Sequence, residues 1–501
     1  MASVRRAAGG KKGVSVSDIE IVKESVDARK KPDVKLVYTV DFSCDENLPL
    51  DEAKVARYSL CDALGCNESD LENMDKSGPR PVIAGFGPCG IFAALILAEA
   101  GLRPVVLERG KPADERYADV LKFWNGGELN PESNVQFGEG GAGTFSDGKL
   151  TTGIKDIRIR KVLEEFVAAG ADPSILYRSK PHIGTDRLRE IIPAIRHRIE
   201  SLGGTVHFNT KLEDLDQFEG TDLILAIGHS ARDTFEMLLE KGLEMEQKPF
   251  SIGVRIRHPQ EQINESQYGD PKLAEILGPA DYKLNHRCEN GRGVYTFCMC
   301  PGGHVVNSSS EDGTLVTNGM SNAARDGEFA NSGLLVDVRT SDFAEACEAG
   351  TDCSYPLLGM EFQHKYERLA WENSRQAQRE GKPDRYGIPT GTTYGNFRQD
   401  KNDHVRRSLP GFAGDAIIEA MPHLGRKLKG FDSDDAEMVA VETRSSSPVR
   451  ILRDENMNAP AMPGVIPAGE GPGYAGGIMS AAVDGIKAAE QVIRNRLKQQ
   501  V

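Results

Sequence analysis

Apolar and polar positions alternate with a period of two over Val14–Val22 and again over Val34–Phe42, the pattern of two half-buried strands. A basic stretch, Asp27–Lys31, separates them, and a helical pattern follows near Glu52–Leu64. Residues 1–76 therefore read as a small α+β module, joined to the rest by the linker Asp75–Pro81. Beyond Pro81 short apolar runs of strand length alternate with amphipathic segments of helix length, as in a parallel α/β sheet. In the best-marked helix Leu188, Ile191, Ile192, Ile195, Ile199 and Leu202 share one face; Thr185 or Asp186 is the expected cap and Gly203-Gly204 the stop. Strands are expected at Thr205–Phe208 and Leu223–Ile227. From about 245 to 425 strands, turns and helices mix without that alternation. The chain thus divides into residues 1–76, a first α/β part over 77–244, an inserted α+β domain over 245–425, and a return to the α/β domain over 426–501.

Within the α/β part, Gly85-x-Gly87-x-x-Gly90 follows a short apolar strand and opens an apolar helix from about Pro88 to Ala100, which Gly101 stops. A second strand, Pro104–Leu107, ends in Glu108, about 20 residues further on, which completes the fingerprint of a Rossmann-like dinucleotide-binding unit. Gly85 permits the tight turn, Gly87 lets the backbone approach a pyrophosphate, and Gly90 lets helix and strand pack closely. The helix start offers free N–H groups and a positive dipole end to the phosphates. Glu108 is placed to accept hydrogen bonds from ribose hydroxyls and disfavours a 2′-phosphate, which leaves FAD and NAD. Near the C-terminus, Met462–Ser480 reads as strand, acidic turn, glycine loop and helix, and Ile478, Ala482, Gly485, Ile486, Ala489 and Ile493 line one face of that helix. Glu470 is suited to a ribityl polyol, and the helix start behind it to the N1/O2 edge of a reduced flavin. This second glycine-rich segment favours FAD over NAD. The buried strand Asp222–Gly228 ends in a glycine that lets a cofactor come close.

Charge and composition narrow the class. Lys plus Arg number 61 against 75 Asp plus Glu, a formal charge of −14, which argues against duplex nucleic acid or an anionic membrane as the main partner. Nine scattered cysteines fit free thiols in a reducing cytoplasm. The longest apolar run, Ile91–Ala98, is too short for a membrane span, and no secretory signal is expected. The first residues carry Arg5, Arg6, Lys11 and Lys12 without an acid, which leaves a floppy tail and an organelle address both open.

Motifs through most of the chain carry a resemblance. They are Ser25–Lys31, Gly85–Gly90, Phe137–Leu150, Pro181–Asp186, Ala226–Asp233, Phe297–Gly303, Val441–Arg450 and Gly469–Gly477. Together they resemble the family of uncharacterised FAD-dependent dehydrogenases within the glutathione-reductase-like flavoproteins. The resemblance implies an α/β fold: an FAD-binding domain built from separated segments, an inserted substrate domain and a small N-terminal domain. The residues expected at FAD are Gly85, Gly87, Pro88, Cys89, Gly90, Glu108, Arg109, Gly140, Gly141, Ala142, Gly143, Thr144, Gly228, Gly469, Glu470, Gly473, Tyr474, Ala475, Gly476, Gly477 and Ile478.

The expected activity is hydride transfer between flavin and an organic substrate, because the flavin does the redox chemistry and the protein supplies position and electrostatics. NAD(P)H is a candidate transient donor, since no second dinucleotide fingerprint is present. A flavin monooxygenase and a flavin-loaded binding protein acting through the N-terminal module are the alternatives. His304, Arg444 and Tyr474 are the candidate catalytic residues, with His182 and His229 as further acid/base groups. Arg444 and Arg450, with Ser445–Ser447, suit an anionic small-molecule substrate or internal salt bridges. Asp147 and Lys149 either reach substrate or pair. Cys298 and Cys300 sit two apart in an expected strand, on one face and too far apart for a comfortable bridge, so two small buried residues are favoured over a redox pair. Arg29–Lys31 reads as a solvated turn or a partner-binding patch, and no metal-ligand spacing is apparent.

Overall fold

The structure, a computed structural model, describes residues 16–30, 33–44, 57–270, 272–346, 352–377 and 383–498. Five short strands, Val82–Ala84, Val105–Leu107, Thr205–His207, Leu223–Leu225 and Val465–Pro467, pair in parallel into one sheet. Numbered along the chain, their spatial order is 3-2-1-4-5. The order reverses between the first and fourth strands, and the crevice beyond the carboxyl ends of those two is where such sheets take ligands. The helix Pro88–Glu99 is apolar on every face because every face is covered: it lies between this sheet and the C-terminal helix Ile478–Lys498, with Cys89 through Ala98 all buried. Thr185–Ser201 packs beside it through Leu188, Ile191, Ile192, Ile195 and Ile199. Its N-cap is Gly184 rather than Thr185 or Asp186, because both side chains serve neighbours: Thr185 donates to the Thr144 carbonyl (2.6 Å) and Asp186 accepts from the Ala323 N–H (2.7 Å). Leu202 is the C-cap and exposed, not part of the apolar face.

The second sheet is antiparallel. Its order is Thr392–Thr393, Glu437–Glu442, Phe250–Pro259, Phe329–Val338, Gly293–Cys300, Asn285–Arg287. The central pair runs unbroken from Phe250↔Val338 to Phe329↔Pro259. The helices Leu358–Ala377 and Gly411–Lys427 contribute Phe362, Ala413, Ile417 and Met421 to the core beside it. A division at residue 425 would cut this sheet, since Met438 pairs with Ile256 and Val439 with Arg255. A two-stranded ladder, Met245–Gln247 with Val449–Ile451, marks where the chain leaves the parallel-sheet domain and returns.

Strands Val16–Lys30 and Asp33–Cys44 form an antiparallel ribbon, so Asp27 to Lys30 continue a strand instead of turning; Lys31 and the tail before Val16 lie outside the described residues. The ribbon touches the α/β domain where the Glu24 N–H donates to the Tyr177 carbonyl (2.7 Å) and the Ser179 N–H to the Glu24 carbonyl (3.0 Å). The expected helix near Glu52–Leu64 is described as Leu60–Leu64, capped by Ser59, and Glu68–Asn73 follows under an Asn67/Asp70 capping box; residues 45–56 lie outside the described set. This segment packs on the C-terminal helix: the Tyr58 hydroxyl donates to Glu490 (3.0 Å) and Arg494 to the Ala63 carbonyl (3.0 Å). Among the described residues no helix is long and apolar enough to cross a membrane.

Candidate functional site: glycine segments at the switch point

The turn after the first parallel strand is built so that only glycine fits. Gly85 has φ +103°, and a β-carbon there would overlap the Ala226 carbonyl oxygen at the end of the fourth strand. A β-carbon on Gly90 would overlap the Gly85 carbonyl oxygen. Gly87 caps the helix without a side chain, which leaves the first-turn amides of that helix open toward the crevice. Glu108, by contrast, is buried, and its carboxylate accepts the N–H groups of Phe86 (2.8 Å), Gly110 (2.8 Å) and Gly138 (2.9 Å). It ties the turn to the following loop, Oε1 taking two N–H groups and Oε2 one. Arg109 is likewise engaged, by Glu132 (2.8 Å) and Asp233 (3.0 Å) and over the Phe137 ring.

The loop over residues 134–150 lies directly on this turn. The Gly140 N–H donates to the Phe86 carbonyl (2.9 Å), and a β-carbon on Gly141 would come within 3.0 Å of the Gly87 α-carbon. Ala142–Phe145 forms one 3₁₀ turn, and Gly143 faces Ile478 and Pro88. The loop is framed from below. Fully buried Arg116 donates to the carbonyls of Asn134 (2.8 Å), Val135 (2.9 Å) and Glu139 (2.8 Å), and the Glu139 carboxylate receives the Ala113 N–H and Arg196, each at 2.8 Å. Asp147 pairs with Arg325 of the inserted domain. Arg116 carries no signal in the sequence, because a lone Arg looks like a surface residue until the fold buries it, and Glu139 shows only as a member of the Phe137–Leu150 motif.

The C-terminal segment closes the third side. A β-carbon on Gly469 would come within 2.8 Å of the Cys89 β-carbon, and one on Gly471 would overlap the Gly228 carbonyl oxygen. The segment is anchored by Asp484, which accepts the Gly469 N–H (2.8 Å) and both arms of Arg453 (2.9 Å each). Gly228, Gly476 and Gly477 face open space. Glu470 is mostly buried beside them; burial pushes its carboxyl up to about 7, against the pull of the Gly477 N–H and of Lys248. His229 lies 3.7 Å from Glu470, and burial, then Arg444 and Arg232, push its imidazole down to about 3. Its Nδ1 is buried with no partner, as is the Arg450 Nε.

Of the residues expected at the cofactor, Gly85, Gly87, Pro88, Cys89, Gly90, Gly140, Gly141, Gly143, Thr144, Gly228, Gly469 and Ile478 come together around this turn. Ala142 and Thr144 belong to the 3₁₀ turn, and Ala475 packs at the edge of the core. Gly473 lies against Val449 and Lys248. Glycine backbones without β-carbons, an uncapped helix start and unpaired buried nitrogens fit a pyrophosphate-bearing planar cofactor.

The candidate catalytic residues separate. Arg444 is buried in a network with Glu367 (2.9 Å), Glu311 (3.4 Å) and Ser310 (2.6 Å), and Arg232 holds the other side of Glu367 (3.0 Å). Burial alone would raise the Glu367 carboxyl; Arg232 and Arg444 outweigh it and hold it well below the carboxylate range. Arg444 is thus an internal ion-pair partner, not a substrate anchor. Ser445 and Ser447 bond backbone carbonyls, the latter that of Gly471 (2.7 Å). Arg450 lies 5.4 Å from the Tyr474 ring, and the Tyr474 hydroxyl donates to the Ile451 carbonyl (3.0 Å) under the Arg453 guanidinium. His182 is bonded to the Ala323 carbonyl (3.1 Å). His304 is different. It lines a cleft of about 580 Å³ in the inserted domain with Arg257, Asp326, Phe329, Arg385 and Tyr386, and its ring stacks on Tyr386 at 4.7 Å. Cys298 and Cys300 do not share a regular strand face: Cys298 has φ +43° at a bulge, and burial pushes the Cys300 thiol up to about 12 although Arg255 pulls the other way.

Residues 249–445 match the family described as FAD-dependent protein, C-terminal domain-like, and residues 2–43 match a domain of unknown function, DUF8436. The chain is 45% identical over 506 residues to an uncharacterized protein of Clostridium beijerinckii, covering 95% of this chain and 92% of that one. Solved structures with looser likeness include glycine oxidase from Geobacillus kaustophilus (9% identical, 84% of this chain and 94% of that chain, TM-score 0.34) and CmlS, a flavin-dependent halogenase (13% identical, 84% and 58%, TM-score 0.34). Superpositions that loose do not establish a common fold. The chain and the Clostridium protein belong to one family, and residues 249–445 of this chain carry the FAD-dependent protein C-terminal-like domain. Flavin is a redox cofactor, and the chain is an FAD-dependent oxidoreductase.

Proposed function

We propose that the crevice at the sheet's switch point holds FAD and that the protein works as a dehydrogenase of the glutathione-reductase-like kind. When bound, FAD supplies hydride transfer between its N5 and an organic substrate, and NAD(P)H is the donor that docks transiently. The observation that carries this reading is the meeting of Gly85–Gly90, Gly140–Gly143, Gly228 and Gly469–Gly477, from four separated segments, at one crevice. The uncapped first turn at Cys89 and Gly90 receives the pyrophosphate. Glu470 and the partnerless His229 Nδ1 lie where a polar ribityl chain gives them hydrogen bonds, and Lys248 offsets charge beside Glu470. Asp147–Arg325 ties the loop to the inserted domain, next in sequence to Asp326 of the His304 cleft. We assign that cleft to the substrate. There His304 is kept neutral by burial and Arg385, placed to relay the proton that must follow the hydride onto the substrate.

The test is the purified protein under anaerobic conditions. A bound flavin spectrum that bleaches faster with NADH or NADPH than without either supports the reading. A protein that stays colourless after incubation with FAD overturns it. Hydroxylated product formed with matched O₂ uptake would replace the dehydrogenase with a monooxygenase.

A further inference from the structure

The edge strand Asn285–Arg287 and the helix Gly411–Lys427 bring three metal-ligating side chains together at one edge of the inserted domain's sheet. His286 and Cys288 are two apart, on one side of the edge strand and the turn that ends it. Glu419 comes from the helix packed across them. The His286 imidazole, the Cys288 sulfur and a Glu419 oxygen each offer one donor atom, all within 4.8 Å of one another. Cys288 is 4% exposed, and its thiol points at the helix, 3.6 Å from the Ala416 carbonyl. The Glu289 N–H donates to Glu419 (2.8 Å) and orients that carboxylate, whose oxygen lies 4.0 Å from His286 Nε2.

We propose that His286, Cys288 and Glu419 bind a zinc-type divalent cation that pins the helix to the sheet edge. One nitrogen, one sulfur and one oxygen donor suit a borderline ion and not Mg²⁺ or Ca²⁺, which want oxygen alone. Bonds of about 2.0–2.3 Å set tetrahedral donors roughly 3.5 Å apart, so the three side chains close by about an ångström, within rotamer adjustment. Binding releases one proton from the Cys288 thiol; thiolate and carboxylate then balance the 2+ charge, and water completes the coordination. His423, one turn on from Glu419, supports the site instead of joining it. Its ring stacks on His286 at 3.9 Å and 17°, and Arg426, which can only donate, bonds its Nδ1, so its own proton sits on Nε2. Lys427 is held by the Asn285 carbonyl. Linear spacing hid the set, because His286-x-Cys288 and Glu419 lie far apart in the chain.

The test uses the whole purified flavoprotein, stripped with a chelator and titrated with Zn²⁺ by calorimetry and with Co²⁺ by absorption. One equivalent of Zn²⁺ and a thiolate-to-cobalt charge-transfer band are expected. Cys288→Ser should lose the band, and Glu419→Gln should weaken Zn²⁺ binding by at least about tenfold, with unchanged flavin content in both. The exposed-thiol variant Cys353→Ser should keep both signals. No stoichiometric Zn²⁺ uptake, or uptake unaltered in Cys288→Ser and Glu419→Gln that retain flavin, overturns the site.

Discussion

The two sheets handle polarity in opposite ways. In and beside the antiparallel sheet charges are buried and spent on one another: Arg255 with Glu442 on neighbouring strands, and Glu367, on the helix Leu358–Ala377, between Arg232 and Arg444. At the switch point of the parallel sheet most side chains are withdrawn, and backbone amides of glycines and a first helical turn are left open beside Glu470 and His229. A buried charge with a full set of partners costs desolvation and binds nothing further. A backbone amide without a side chain in front of it remains available to a ligand. Charged residues are therefore the poorer guide to this protein's site, and absent side chains the better one.

Four experiments would break or sharpen that contrast. Gly87→Glu should act on the crevice alone: its side chain meets Gly141 and the pyrophosphate's place, so flavin retention should fall more than about a hundredfold, or about 3 kcal/mol, by flavin-to-protein absorbance ratio. Normal flavin content would show the crevice misassigned. Glu367→Gln should act on the buried ion-pair network instead. Arg232 and Arg444 would keep only the partly exposed Glu311 between them, and the variant should be less stable to urea by about 2–3 kcal/mol. Equal stability to the parent would mean that Arg444 is free for a ligand after all.

Glu470→Gln tests a titrating group at the crevice, in the flavin-free protein. Folding raises its carboxyl from an ordinary 4.5 to about 7, so the native state holds the proton more tightly than the unfolded chain. The stability this confers is present below pH 4.5 and is lost as pH rises to about 7. The parent should therefore lose about 3 kcal/mol across that window relative to the Gln variant. Parallel pH profiles would place Glu470 in solvent. Tyr474→Phe is the smallest effect: one hydroxyl bond to the Ile451 carbonyl is lost, about 1 kcal/mol in unfolding, with hydride-transfer rate unchanged.

What the sequence disclosed follows the same division. Gly85, Gly87, Gly90 and the strand before them are legible because spacing alone demands their geometry, and the apolar face from Leu188 to Ile199 because period alone does. Glu108 was legible as the acid at the strand end but not in its use, since whether a carboxylate meets a ribose or three backbone amides depends on where residues 110 and 138 come to lie. Arg444 and Tyr474 had the right chemistry for a site and were consumed by partners distant in sequence. The end of the inserted domain was misplaced because Glu437–Glu442, a buried apolar strand, looks the same whichever sheet it joins.

The most direct measurement is the density for FAD in a crystal of the intact protein. The pyrophosphate should lie on the first-turn amides of Cys89 and Gly90, with the isoalloxazine end toward Gly476 and Gly477 and a single continuous molecule passing Glu470. Density that meets the glycine turn but leaves the C-terminal glycine segment empty, or the reverse, would contradict the shared site.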